Sequence, residues 1–298
     1  MKELAKAGHD VTAIYRSHKE NYSGIRLARI KQVEGSCRQV FNCPFGKAPF
    51  FSLIKEQPWN LFCHHAADVT DYKSPAFNAI AALENNTLNL KESLTLLKEQ
   101  GCHHVVLTGS IFEQREGIFS KDDRAVSPYG LSKGLTADFF AYYTALLNLH
   151  MAKFVIPNPF GPFEEKRFTT YLIDSWYAGI IPEVGTPLYI RDNVPTSLLA
   201  KMYVDFAINF TKGGGSLKLN PSFYAESQKE FTCRFAREMG ARLPIKCPFT
   251  IKNQTEFPEP IRRINFDYPN VKALGFSEEV FWDELAQYYA TKSCALFK

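Results

Sequence analysis

Short apolar runs and longer segments of helical period alternate along the chain. Residues 2–7 read as the last turns of a helix, with Gly8 just past its end, where glycine readily takes the left-handed turn that closes a helix. The β-branched run DVTAIYR (10–16) predicts a strand. Residues 30–33 predict a short strand, and 44–49 a loop. APFFSLIKEQ predicts a short helix leading to a buried strand at 59–64. Residues 77–100 keep a helical period up to Gly101, which predicts one long helix. A buried strand, VVLTGS (105–110), a loop rich in Glu, Gly and Asp (113–123), and a helix entered at SPYGLSK (127–133) follow. That helix continues as GLTADFFAYYTALL, apolar on more than one side and therefore predicted to be buried. The pattern goes on with the strand AKFVIP, the segment NPFGP, an aromatic-rich helix (168–177) and PLYIRD. Last come a helix (196–210), the strand LKLN, and helices at 229–239 and 277–291.

A helix that runs through Gly-His into a β-branched strand is the second half of a βαβ unit. Its first strand and the glycine-rich turn that cradles a pyrophosphate are absent from the sequence. The expectation is that the natural fold begins roughly 15–20 residues earlier, since a βαβ unit takes about 30. Arg16 ends the first strand, after Tyr15 rather than an acid. An acid there would hold a ribose 2′-hydroxyl, whereas Arg accommodates a 2′-phosphate, so Arg16 either tilts the chain toward NADP(H) or is a solvated strand-end residue.

SPYGLSK carries the candidate chemistry. Tyr129 and Lys133 are four residues apart, which on a helix stacks a phenol and an ammonium one turn apart on one face. A neighbouring cation favours the phenolate, giving a base that works near neutral pH. The hydroxyl-bearing strand end VVLTGS lies about twenty residues upstream, within reach of a loop. The adjacent pairs His64/His65 and His103/His104 point to opposite faces of a strand and chelate poorly, so no metal site is expected. Gly213, Gly214 and Gly215 have no GK[ST] after them and read as a turn.

Composition narrows the classes. A net charge of +4 without a long Lys/Arg run excludes a nucleic-acid arm, and no run of about 18 apolar residues predicts a membrane span. The start MKELAKAGHD lacks the apolar centre of a signal peptide, and the seven cysteines form no C-x-x-C pair, so a cytoplasmic protein with reduced thiols is expected.

Taken in order, GHDVTAIYR, HHAA, Asn86-Thr-Leu-Asn-Leu, VVLTGSIF, Tyr129 with Lys133, NPFGP, YIRD and DYPNVKALGF resemble an extended short-chain dehydrogenase/reductase. The likeness is to its NAD-dependent epimerase/dehydratase family, whose usual substrates are nucleotide sugars. The resemblance implies an α/β fold, a Rossmann-type doubly wound parallel sheet with a smaller discontinuous C-terminal substrate region. The dinucleotide-binding part would span 1–158 (N-terminally incomplete), with 192–224 returning to it, and the substrate-binding region 159–191 and 225–298. It implies Tyr129 as general acid/base and Lys133 on the nicotinamide ribose. Thr108 bonds the reacting oxygen when Ile111 and Phe112 align with the family's Val-Tyr, and a shift of one or two residues selects Ser110 instead. NAD or NADP would be lined by Arg16, Ala66, Ala67, Asn86 and Pro157 besides Tyr129 and Lys133, and the nucleotide diphosphate contacted by Asn158 and Arg191. Dimers are common in that family, which allows a homodimer. In its 4,6-dehydratases an Asp-Glu pair follows the Thr. Gly109 and Ser110 stand there instead, which argues against dehydration and leaves epimerisation, or NADPH-dependent reduction of a keto-sugar or small carbonyl. The missing glycine-rich loop keeps a third reading open, a non-catalytic relative that binds a nucleotide.

Overall fold

The computed structural model describes residues 1–65, 67–117, 124–215 and 217–296, with side chains through Lys292. In chain order the elements are α1 (Lys2–Lys6), β1 (Thr12–Ile14), α2 (Gly24–Lys31), β2 (Arg38–Val40), α3 (Ala48–Ile54), β3 (Leu61–His64), α4 (Ala79–Asn86), α5 (Leu90–Glu99), β4 (His104–Ser110), α6 (Pro128–Leu146) and β5 (His150–Ile156). They continue as β6 (Asn158–Phe160), α7 (Phe168–Tyr177), β7 (Glu183–Val184), β8 (Ile190–Pro195), α8 (Thr196–Thr211), β9 (Lys218–Leu219), β10 (Tyr224–Ser227), α9 (Gln228–Gly240), β11 (Thr250–Ile251), β12 (Arg262–Arg263) and α10 (Glu278–Leu296). Two units emerge, one of Met1–Ile156 with Tyr203–Asn220, the other of Pro157–Met202 with Pro221–Lys298.

The first unit is an α/β unit in which every strand pair is parallel. Its larger sheet has the order β3-β4-β5-β9, and β1 pairs with β2 in a second, two-stranded sheet. β4 is central because Val105, Val106 and Leu107 are branched apolar residues with almost no exposure, as a strand covered on both faces requires. Under it Phe50, Leu53 and Ile54 of α3, Leu90, Leu94 and Leu97 of α5, and Ala137 and Phe140 of α6 form one core. The predicted buried strand at 59–64 is shorter and less covered than its apolar content implies. Only His64 is buried, while Leu61, Phe62 and Cys63 are half-buried. The reason is its pairing: among the described residues β3 has a strand partner on one side, β4, and β1 has one only in β2.

Two further expectations are corrected. The strand predicted at 30–33 is the end of α2 and the turn after it, and the strand itself lies further on, at β2. In IRLARI the apolar residues Ile25, Leu27, Ala28 and Ile30 alternate with exposed Arg26 and Arg29 at a spacing that suits one helix face as well as a strand. The long helix predicted at 77–100 is two helices, α4 and α5, broken where Asn89 takes φ 49°. Asn tolerates the left-handed region, and here it is repaid locally, since Asn89 Nδ2 donates to the Gly46 carbonyl at 2.9 Å. Gly46 (φ +69°) meets the break so closely that a Cβ would stand 2.0 Å from the Leu88 carbonyl oxygen.

The second unit is organised on β8. β10 pairs antiparallel along one edge, and β6 and β12 pair parallel along the other at different registers. Its core is aromatic: Phe160 meets Phe231 and Phe281 edge to face at 5.2 and 5.3 Å, and Trp282 and Tyr289 are buried with them. Trp176 belongs to this core and donates through Nε1 to the Pro248 carbonyl at 2.7 Å.

Gly46→Ala is expected to destabilise the first unit by roughly 3 kcal/mol or more, from backbone overlap added to the left-handed penalty. Gly101→Ala, with φ +81° but open space around it, should cost about 1–2 kcal/mol, the left-handed penalty alone. Urea denaturation of both variants measures the difference. His64 is 2 % exposed, packed on Phe45 and Phe140, and its pKa lies well below 6.5, chiefly through burial and further through Lys133. The unfolded chain therefore binds a proton below pH 6.5 that the folded chain refuses. Stability should fall on acidification from pH 7 to 5, by up to about 1.4 kcal/mol per pH unit for this group. A shallower fall in His64→Phe would attribute the slope to it.

Candidate active site

The site is built on the end of β4 and the first turns of α6. Ser127 caps the helix by accepting from the Gly130 N–H at 3.1 Å, and Pro128 fills the first turn, where no N–H is needed. Tyr129 and Lys133 follow in the first two turns. Gly130 lets the helix close on the turn after β4, because a Cβ there would stand 2.0 Å from the Phe112 carbonyl oxygen.

Tyr129 is half-buried, with its ring centre 5.2 Å from that of Tyr72, 6.0 Å from Phe77 and 6.4 Å from Phe112. Lys133 is 3 % exposed and donates to the Thr108 carbonyl oxygen at 2.6 Å. Burial draws its pKa down to about 8, with the Glu113 carboxylate opposing the fall and Lys153 adding to it. At neutral pH the ammonium therefore persists, though held far less firmly than in water.

Thr108 and Ser110 are both almost fully buried. The Thr108 hydroxyl lies 2.7 Å from His65 Nδ1, while the Ser110 hydroxyl oxygen accepts from the Phe112 N–H at 3.3 Å. Beneath Gly109 lies an ion network. Lys153 Nζ bridges Glu113 at 2.5 Å and Glu116 at 2.7 Å, Lys218 joins Glu116 at 2.7 Å, and Asn220 Nδ2 donates to Glu116 at 2.9 Å. Glu113 also accepts from the Ser110 N–H at 2.6 Å. A Cβ at Gly109 would come within 2.6 Å of Lys153 Cε and 3.0 Å of Glu113 Oε1, so this network occupies the space a side chain at 109 needs.

The other predicted residues are distributed as follows. Asn86 closes α4 and is buried. Its Oδ1 accepts from the Asp68 N–H at 3.0 Å and its Nδ2 donates to Thr136 Oγ1 at 3.3 Å, so it ties the segment after β3 to α6. Ala67 lies half-buried in that segment, and Ala66 falls outside the described residues. Arg16 is exposed just past β1. Asp68 is held below the usual carboxylate range by the Thr70 N–H, with a smaller contribution from Arg16. In the second unit Pro157 is buried beside β6, and Asn158 Nδ2 is buried with no hydrogen-bond partner among the described residues. Arg191 stacks 4.2 Å over Tyr189 and spends Nη1 on the carbonyls of Ile190, Pro260 and Ile261, and Nη2 on Glu259 at 3.1 Å.

Sequence reasoning missed His65, Gly130 and the Glu113–Lys153 pair. The available signal for His65 was register. β3 and β4 are parallel with His64 opposite Leu107, which brings the next residue, His65, level with Thr108. Among the described residues no group of three or more His, Cys, Asp or Glu could hold a metal ion, and no helix is long and apolar enough to cross a membrane.

No curated protein matches the sequence. Solved structures share the fold at low identity. A UDP-glucose 4-epimerase from Thermotoga maritima, solved with UDP-glucose, is 14 % identical with a TM-score of 0.69, over 97 % of this chain and 94 % of that one. A UDP-glucose-4-epimerase from Stenotrophomonas maltophila, with bound NAD and formylated UDP-arabinopyranose, is 15 % identical with a TM-score of 0.69, over 99 % and 94 %. A dTDP-glucose 4,6-dehydratase from Streptomyces venezuelae is 15 % identical with a TM-score of 0.64, over 96 % and 89 %. The model of the NAD dependent epimerase/dehydratase family matches residues 1–195. With a parallel α/β unit that sets Tyr129 and Lys133 on one helix against a strand-end Thr, and with that match over well over half its length, the chain belongs to the NAD-dependent epimerase/dehydratase family.

Proposed function

We propose that the chain is an NAD(P)-dependent epimerase of a nucleotide sugar, working through a keto intermediate with Tyr129, Lys133 and a strand-end hydroxyl of Thr108 or Ser110. The observation that carries this reading is the buried Lys133 ammonium, bonded to the Thr108 carbonyl one turn beyond Tyr129. A desolvated cation on the tyrosine's own helix face favours phenolate.

The reactive end of the site fits a nicotinamide cofactor. Lys133 has donors left for a ribose hydroxyl besides the one given to Thr108. Ala67 is small enough for close approach, and Asn86 fixes the segment that carries it. When bound, NAD(P) accepts a hydride from the sugar carbon and returns it. Tyr129 phenolate takes the hydroxyl proton as that carbon is oxidised and gives it back to the oxygen when the ketone is reduced on its other face. The strand-end hydroxyl holds that oxygen in both halves. Asn158, whose buried amide Nδ2 has no partner among the described residues, would offer a donor to the nucleotide diphosphate. Arg191 would join it with the N–H donors that its carbonyl and Glu259 bonds leave over. The UDP-sugars in the structural relatives make a UDP-hexose the first substrate class to test.

Gly109 and Ser110 favour epimerisation over dehydration, since neither supplies an acid, and an acid at 109 would have to displace Lys153 and Glu113. Two other readings each have one observation behind them. Exposed Arg16 at the end of β1 suits a 2′-phosphate and hence an NADPH-dependent reductase of a keto-sugar nucleotide or small carbonyl. The lack of a glycine-rich strand-to-helix turn in residues 1–298 suits a non-catalytic nucleotide binder.

With UDP-glucose and catalytic NAD+, the chain should form UDP-galactose, read by chromatography of the product sugars. Stoichiometric consumption of NADPH with a keto-sugar and no stereoisomer would select the reductase, and no heat of NAD(H) or NADP(H) binding in calorimetry would select the non-catalytic relative. Tyr129→Phe should lower kcat by roughly 100-fold or more, the scale of a lost general base, while leaving the fold intact. Lys133→Met should lower kcat comparably with little change in the thermal midpoint, because losing a desolvated charge offsets the Thr108 carbonyl left unpaired.

A further inference from the structure

We propose that His65 is a positioning residue for this reaction, holding the Thr108 hydroxyl through Nδ1 so that its free donor or acceptor is presented to the reacting oxygen. The proposal rests on the epimerase reading and assigns the strand-end role to Thr108.

The geometry is local to the first unit. The parallel register sets His65 level with Thr108, and Nδ1 and Oγ1 are 2.7 Å apart. The imidazole also lies 5.0 Å from the ring of Tyr203, which is fixed edge-on against Phe154 at 4.9 Å and whose hydroxyl side also reaches Thr108. Thr108 is thus held at its hydroxyl by His65, with Tyr203 nearby, and at its carbonyl by Lys133. His64 next to it is a core residue, whereas His65 is exposed. The second histidine therefore borders open space while it touches the candidate catalytic hydroxyl.

Desolvation of the ring lowers the His65 pKa to about 4, with smaller contributions from the Met1 and Lys133 ammonium groups. The neighbouring titratable groups include His64, whose pKa is lowered, and Cys63 and Tyr203, whose pKa values burial raises. The imidazole is neutral at working pH, so it takes up no proton from the substrate and leaves the base role to Tyr129. A neutral imidazole carries one N–H and one lone pair. If Nδ1–H donates to Oγ1, the Thr108 hydrogen is free to donate to a ketone. If Nδ1 accepts from the hydroxyl, the Oγ1 lone pairs are free to accept from an alcohol. These are the two partners that an epimerising site meets in turn. No bond to carbon forms or breaks at His65.

The test combines ring spectroscopy and kinetics on the full chain. In ¹⁵N NMR, with the His65 signals assigned by their loss in His65→Asn, the imidazole should stay neutral down to pH 5. Thr108→Val should shift its Nδ1 resonance and Thr108→Ser should leave it near the wild-type position. An Nδ1 resonance unmoved by Thr108→Val overturns the proposal whatever the chain catalyses. With UDP-glucose and NAD+, His65→Leu should lose about tenfold in kcat at unchanged KM, the scale of one neutral hydrogen bond. His65→Asn, whose amide reaches the Nδ1 position, should recover most of that loss, and His65→Gln should not. In the Thr108→Val background His65→Leu should cost nothing more. His65→Leu within twofold of wild type, or Asn no better than Leu, overturns the proposal. Absence of turnover in the wild-type chain counts against the epimerase reading, and the Nδ1 resonance then decides this inference alone.

Discussion

A buried ammonium with a single described carbonyl to hold it is the constraint around which the site is arranged. Taking a lysine out of water costs several kcal/mol, and a charge-assisted hydrogen bond returns only about 1.5–3 kcal/mol. The Lys133–Thr108 bond therefore does not offset the cost by itself. The Glu113 carboxylate offsets part of the remainder, opposed by Lys153, and the balance stands at a pKa of about 8. An interaction that leaves an ammonium easier to deprotonate than in water is a poor choice for stability alone. It suits the proposed site, where a cation stands one helical turn from a phenol. The same bond fixes α6 against the end of β4, so chemistry and packing share one contact.

Glu113 links that cation to the rest of the strand end. Its carboxylate takes the Ser110 N–H and the Lys153 ammonium, and this arrangement lies where a side chain at 109 would go. A small residue at 109 suits the network, because a Cβ there would meet Lys153 and Glu113. Breaking such a pair from one side leaves a buried charge uncompensated, at a cost of about 3–5 kcal/mol, so the network is coupled to the fold as tightly as to the reaction.

How much of this was legible in the sequence follows from how far each feature reaches along the chain. Tyr129 and Lys133 are one helical turn apart, so spacing was enough to pair them. The β4 and β5 strands are long apolar runs, and their parallel arrangement followed from the helices between them. The break at Asn89 was not legible, because its cause is a contact with Gly46, 43 residues away. The capture of Arg191 by the Pro260 and Ile261 carbonyls was hidden for the same reason, its partners lying 69 and 70 residues on. The contact of His65 was hidden for a subtler reason. Two adjacent histidines point to opposite sides of a strand, which argues against a chelate. That argument says nothing of the neighbour each one meets across the sheet, and register alone brings His65 to Thr108.

The two halves of a dinucleotide site also rest on different physics. In the proposed reaction, rate rests on Tyr129, Lys133 and the strand-end hydroxyl, which act at the reacting carbon and need only be placed correctly. Affinity for a dinucleotide rests largely on backbone N–H groups that converge on the pyrophosphate at a helix N-terminus. The proposed reactive groups sit on β4 and on α6 packed against it, and β4 is paired on both sides, while β1 and β3 each pair on one side only among the described residues. Placement of the reacting groups and affinity for a dinucleotide therefore depend on different contacts.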